Sequence, residues 1–450
     1  MIMKAKIYIV LLGALILTSC KDYLDLKNSN AAQVPTSIKD LQDILDDFGR
    51  MNELRTPSYA ESAADNFFII GSSYNSLLPE RKLLYRWEPF DYYFPTDWGT
   101  CYLPIYNSNF CLEGLAKINV NETNEKQWNN VYGSAHFYRA YYYLQLLWTY
   151  SAAYDPKGDN LGRGIVLRKV SDINIPNQFS TIEESYKQVI DDAHIAVKYL
   201  DDLPLVKARP SKAAAYALLA RTYLSMGKYS EAGTAADASL RLFSDLMDYN
   251  NPSDGVKITA TVPFTKFTKE TIFYSEMNQR FQNHTPGYAM VDSNLMLTYE
   301  EDDLRRKAFF VASGKYYKFK GTYSHSPYWM FSGMTSAEML LVRAESNARA
   351  GNISACLADV NLLLKHRWDK SKVYKPKEVT GKVEALNLVL KERRKELLMR
   401  GIRLSDVKRL NLEGADIVLV HIIDGERIEV HPNSSKLILG LPTDVKMYLE

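Results

Sequence analysis

The sequence predicts a mostly α-helical fold: paired antiparallel helices form a scaffold, long loops are inserted into it, and a small β-hairpin lies near the end. Three observations carry that expectation. Small residues recur at helical spacing on both sides of a glycine in residues 210–240. Residues 335–368 repeat that arrangement. Residues 417–431 alternate in polarity about an Asp424-Gly425 step, as a two-residue hairpin does.

The first stretch is the most specific. Tyr216, Leu219, Ala220 and Tyr223 precede Gly227, and Tyr229, Ala232 and Ala236 follow it. This is the tetratricopeptide pattern of an aromatic, a leucine, a small residue and a tyrosine. Ala220 and Ala232 let two helices approach closely, while Tyr216 and Tyr223 fill the groove towards the next pair. Arg221 is expected to point outward. One such unit cannot bury its own apolar face, so further pairs are required. In residues 335–368, Gly351 falls where Gly227 does, Ala344 at Ala220 and Cys356 at Ala232. A third pair is expected from the second half of 125–150 and from 181–200, the latter capped by Ser180-Thr181.

At the N-terminus, Lys4 and Lys6 precede an apolar run over 7–17, too short for a stable membrane anchor and typical of a leader. It ends Leu17-Thr18-Ser19-Cys20, after which a polar stretch runs to Pro35. Residues 37–54 carry Ile38, Leu41, Ile44, Leu45 and Phe48 on one face and read as one amphipathic helix. Residues 71–99 read as a loop rich in rings. Helical spacing resumes over 98–120. Residues 243–281 lose periodicity, with a strand-like stretch at 267–277, and 314–331 form a second aromatic loop. The acidic run at 300–303, followed by Arg305 and Arg306, reads as a solvated helix start rather than a calcium loop. Residues 384–401 and 402–410 close the helical part.

Composition narrows the function. A formal net charge of +2 over 450 residues gives no global field for nucleic acid. Cys101 and Cys111 are close enough to bridge outside the cytoplasm, and separate burial as free thiols accounts for them equally. No zinc spacing, nucleophile elbow, phosphate loop or HExxH is present, so nothing marks a cofactor, metal or catalytic centre. The 31 tyrosines suit helix packing and sugar stacking alike. Their placement on loops is more telling, because flat amphipathic rings on loops make a surface for a sugar's C–H face. Any single ring is more readily explained as a plug onto the core. Taken together, at least one or two rings of the 71–99 loop are expected to face a ligand. The candidates are Trp87, Tyr92, Tyr93 and Trp98 in the first loop, and Tyr323, Tyr328 and Trp329 in the second.

Several pieces together resemble the SusD/RagB family of outer-membrane nutrient-binding lipoproteins. They are the lipobox-like Leu17–Cys20 run, AHFYRAYYYLQLLWTY at 135–150, SKAAAYALLARTYLSMG at 211–227, and SAEMLLVRAESNARAG at 336–351. The sharpest is KERRKELLMRGIRLSDVKR at 391–409, where Glu392, Arg393, Arg394, Glu396, Gly401, Arg403 and Asp406 stand in the family's order. Arg400 departs from it, since an acidic residue is usual there. The resemblance implies a signal peptide at 1–19, lipidation of Cys20, a tether to residue 35 and one SusD-like domain over 36–450, with ligand loops around 71–99 and 250–334. It further implies a lipid-anchored, surface-exposed outer-membrane protein. Such a protein captures an oligosaccharide, or a peptide in the RagB manner, and delivers it to a SusC-like TonB-dependent transporter. The charged residues of 393–406 are read as structural, in a partly buried network with Glu338, Arg343 or Glu345.

Overall fold

The computed structural model describes residues 35–449; the leader-like run, Cys20 and nearly all of the tether lie outside the described residues. The scaffold is a procession of antiparallel helices. Glu125–Tyr150 lies between Asp97–Leu115 and Ile182–Tyr199. The chain then passes through Lys212–Ser225, Tyr229–Leu242, Ser336–Ala350 and Ile353–Arg367, each packed on the one before, with Lys382–Glu396 against the last two. All three expected pairs are present.

Local chemistry sets their ends. Thr181 and Glu184 form a reciprocal capping box, and the Ser211 and Thr335 hydroxyls accept from the amides of Ala214 and Glu338. Gly227 and Gly351 take φ of 71° and 85°, the left-handed turn that a side chain resists. Ala214, Ala217, Ala220, Ala232 and Ala236 are wholly buried, as close helix approach demands. The tail hairpin pairs Leu419–Ile423 with Glu426–Val430, and both turn residues, Asp424 and Gly425, have positive φ.

Several elements differ from expectation. Residues 37–54 form two helices, Ile38–Leu45 and Phe48–Met51, because the Asp47 carboxylate caps the second by accepting from Arg50 N at 3.0 Å. The 71–99 stretch contains helices Gly71–Asn75 and Pro79–Tyr85, the latter with proline in its first turn. Within 250–334, Thr271–Phe273 pairs with Met334–Thr335, Ala289–Val291 with Phe67–Ile69, and Phe310–Ser313 with Tyr316–Phe319. Two of these pairings join distant segments and leave no local signature. The tail ends in an unforeseen helix, Thr443–Leu449.

The charged residues are structural, with partners partly other than those foreseen. Arg393 and Arg409 both donate to Asp406, at 2.8 and 2.9 Å, and Arg409 continues to Glu345 at 2.7 Å. Glu338 pairs instead with Arg221, which is buried rather than outward, at 2.6 Å. Arg343 reaches Asp359 and Asp237. The 300–306 run is not solvated throughout: Asp303 and Arg305 sink into the core, where Arg305 also meets Glu392 and Glu396 at 2.7 and 3.0 Å. A buried guanidinium of this kind persists only when its donors are met.

Cys101 and Cys111 are free and buried. They lie ten residues apart on the one helix Asp97–Leu115. At 1.5 Å rise per residue that separation is about 15 Å, beyond a disulfide's reach.

Candidate ligand-binding clefts

The helix Asp97–Leu115 organises the main cleft. Thr96 caps it, accepting from Gly99 N at 3.0 Å. Asp97 is buried beneath its first turn and accepts from Tyr59 N at 2.9 Å; burial pushes its carboxyl up to about 6, against the pull of those hydrogen bonds. So fixed, the helix presents Trp98, Tyr102 and Tyr106 at successive four-residue steps, one above the other on a single face. The Trp98 and Tyr102 rings are 4.8 Å apart and tilted by 37°. This stripe is one wall of a cleft of about 500 Å³. The loop from Val166 to Asn177 forms the second wall, and Val445, Tyr448 and Leu449 of the tail helix form the third.

The loop wall is held from within. Arg168 donates to Ile175 O at 2.8 Å and to Asn177 Oδ1 at 2.6 Å, while Asn109 Nδ2 donates to Arg168 O at 2.8 Å. Tyr102 donates to Val166 O at 2.7 Å. The lining thus offers fixed rings, with Asn174 and Asn177 at the exposed rim. Tyr106 and Tyr448 are 42% and 88% exposed, so rings reach solvent on two of the three walls.

A second cleft of about 410 Å³ lies on another side of the tail helix, lined by Tyr59, Trp87, Phe90 and Asp91 and by Lys436 and Lys446. The tail is pinned between the two clefts: Thr443 N donates to Tyr92 O at 2.9 Å and its hydroxyl to Asp91 at 3.2 Å.

The seven rings singled out from the sequence do not form one platform. Trp87 is core: its Nε1 donates to Ala63 O at 2.9 Å and its ring stacks on His421. Tyr92 is a buried strut, donating to Gly440 O at 2.7 Å. Tyr323 is another, donating to Glu270 at 2.9 Å beneath the Arg400 guanidinium. Trp98 is 8% exposed and reaches the main cleft only by its edge of free surface. Tyr93 is exposed at the tip of the first loop beside Phe94, and Tyr328 is exposed on the second. Trp329 is half-buried against Lys266, whose Nζ sits 5.5 Å from its ring centre. Among the described residues no aromatic pair joins the two groups. The segment 277–281 connects them: Met277 N donates to Met330 O at one end, and Phe281 packs edge-on to Tyr92 at the other. Tyr102, Tyr106 and Tyr448 were not foreseen. The four-residue spacing of Trp98, Tyr102 and Tyr106 was the signal for the first two.

Residues 22–224 match the SusD-like family model described as starch-binding and associating with the outer membrane. Solved structures share the fold across 92% of this chain. A SusD superfamily protein from Bacteroides fragilis is 19% identical and covered over 99% of its length, with a TM-score of 0.73. A SusD-like carbohydrate-binding protein from Bacteroides vulgatus is 17% identical and covered over 97%, at 0.66. A laminarin-binding SusD-like protein is 17% identical and covered over 96%, at 0.64. No curated protein matches the sequence. Among the described residues no helix is long and apolar enough to cross a membrane. The latter two are structures of binding proteins. Residues 22–224 are thus similar in sequence to the SusD-like family, and nearly all of the described length shares the fold of SusD-like structures.

Proposed function

We propose that this protein captures oligosaccharides at the bacterial surface, tethered by a lipid on Cys20, and passes them to a SusC-like TonB-dependent transporter. The observation that carries the binding reading is the stripe Trp98–Tyr102–Tyr106 opening into a cleft faced by Tyr448. Its volume of about 500 Å³ suits a small ligand rather than a protein partner. Rings supply stacking surface at little entropic cost, and rim amides supply orientation. Stacking with few hydrogen bonds gives modest affinity, which favours release to a transporter. Tyr93 and Phe94 extend the aromatic surface beyond the cleft, and Tyr328 and Trp329 make a separate outlying contact.

The test is titration calorimetry of the purified chain with laminarin, with starch oligosaccharides and with a mixed peptide digest. Saccharide binding that Tyr448→Ala weakens supports the cleft. Binding of peptides alone turns the reading to the RagB-like alternative, and saccharide cleavage over time removes the binder reading. Co-purification with a SusC-like transporter tests delivery.

A further inference from the structure

A pocket of about 160 Å³ lies between helices Lys382–Glu396 and Arg403–Leu412, and it shares no lining residue with the two aromatic clefts. Three guanidiniums, those of Arg393, Arg394 and Arg403, line it against one carboxylate, Asp406. Asp406 is already shared by Arg393 and Arg409, at 2.8 and 2.9 Å. Asp65, behind the lining, answers both Arg403, at 2.7 Å, and Arg394, at 3.2 Å. The guanidiniums therefore outnumber the carboxylates that meet them. Arg393 is 3% exposed, and its Nη1 has no hydrogen-bond partner among the described residues. A buried charged donor left unmet is costly, and an anion is the partner it favours. Burial, with a smaller push from Arg403, pulls the Arg394 guanidinium below its ordinary value against the attraction of Asp65.

Apart from Asn66, the rest of the lining is apolar: Leu390, Leu397, Ile402, Leu410, Ala415 and Ile417. The volume equals that of about five waters, too little for a sugar chain. We infer that this pocket binds a small aliphatic monocarboxylate, its charge on Arg393 and its hydrocarbon body against the leucines.

The test is calorimetry of the full chain with sodium acetate, sodium butyrate and sodium sulfate. Butyrate is expected to bind more tightly than acetate or sulfate. Arg393→Gln should weaken butyrate by roughly tenfold or more, the loss of a charged hydrogen bond. Ala415 is exposed on the pocket lining, and Ala415→Phe should block butyrate while leaving thermal unfolding unchanged. This second variant decides the matter should Arg393→Gln fail to fold. Sulfate binding as tightly as butyrate overturns the inference, as does butyrate binding that Ala415→Phe does not disturb, or an absence of binding by all three anions.

Discussion

The imidazole of His421 lies flat on the indole of Trp87, with ring centres 4.1 Å apart and planes 12° apart, and Tyr85 covers its other face at 3.8 Å. The tail hairpin thus reaches back and closes a three-ring stack over the first aromatic segment. His421 Nδ1 donates to Tyr85 O at 2.7 Å, which fixes the ring plane. Trp87 lends its surface to the fold. Trp87→Ala is expected to lower stability by about 3–5 kcal/mol in urea titration, the cost of emptying a buried indole site. A variant with an unchanged midpoint would mean that the ring carries no packing.

The same stack makes stability depend on acidity. Burial pushes the His421 imidazole down to about 4 from an ordinary 6.5, partly offset by its bond to Tyr85 O. Between those two values the unfolded chain takes up a proton that the folded chain refuses, so acidification destabilises the fold by up to about 1.4 kcal/mol per pH unit. Buried His284, pushed down to about 3, acts in the same direction. Glu61 and Asp97, pushed up by burial to about 7 and 6, act oppositely: folded, they keep protons that the unfolded chain gives up as pH rises. The contribution of His421 is therefore the difference between parent and His421→Gln. Urea midpoints measured from pH 7 to pH 4 should fall less steeply in the variant, and parallel slopes would refute the assignment.

Helix Tyr229–Leu242 meets Ser336–Ala350 at Gly233, where an added Cβ would run into the Ser346 side chain. Gly233→Ala is expected to destabilise by about 1–3 kcal/mol through overpacking. Ser346→Gly in the same chain should return much of that loss, because the clash is between these two positions. Thermal unfolding of the two single variants and the double variant reads the coupling directly, and additive effects would exclude it.

Ligand affinity should follow exposure at the main cleft. Tyr106→Ala and Tyr448→Ala are each expected to weaken saccharide binding by about 1 kcal/mol, a several-fold rise in Kd, since each removes one stacking face. Tyr328→Ala, on the other loop, should cost less. Trp98→Ala is expected to lower both affinity and stability, because its ring also packs edge-on against Tyr150 at 5.1 Å. Calorimetry beside urea titration separates the two losses. An equal effect of Tyr328→Ala and Tyr448→Ala would shift the site towards the second loop.

The helix pairs were legible because their determinants are local. Ala220, Gly227 and Ala232 lie within thirteen positions of one another, and their spacing alone specifies a close crossing and a left-handed turn. The fate of each loop ring was not legible. Trp87 and Tyr93 stand six positions apart in the same aromatic run, yet one is sealed and the other is 59% exposed. What separates them is His421, which arrives from the far end of the chain. Tyr323 likewise found Tyr249 and Glu270 at hand, whereas its neighbour Tyr328 found no such seat. The third wall of the main cleft depended on a short terminal helix whose position is set by Tyr92 and Asp91, a relation that no periodicity encodes.

Cys101, Cys111 and Cys356 have a practical consequence. Burial pushes the Cys111 thiol up to about 12 and the Cys356 thiol to about 11, and raises Cys101 well above its usual range. None is a thiolate at neutral pH, so an alkylating reagent reaches each sulfur only when its surroundings come apart. Alkylation followed by mass spectrometry therefore times two kinds of breathing in one sample: release of the cleft-bearing helix, through Cys101 and Cys111, and fraying of the last repeat, through Cys356. A saccharide seated against Tyr102 should slow the first clock and leave the second running.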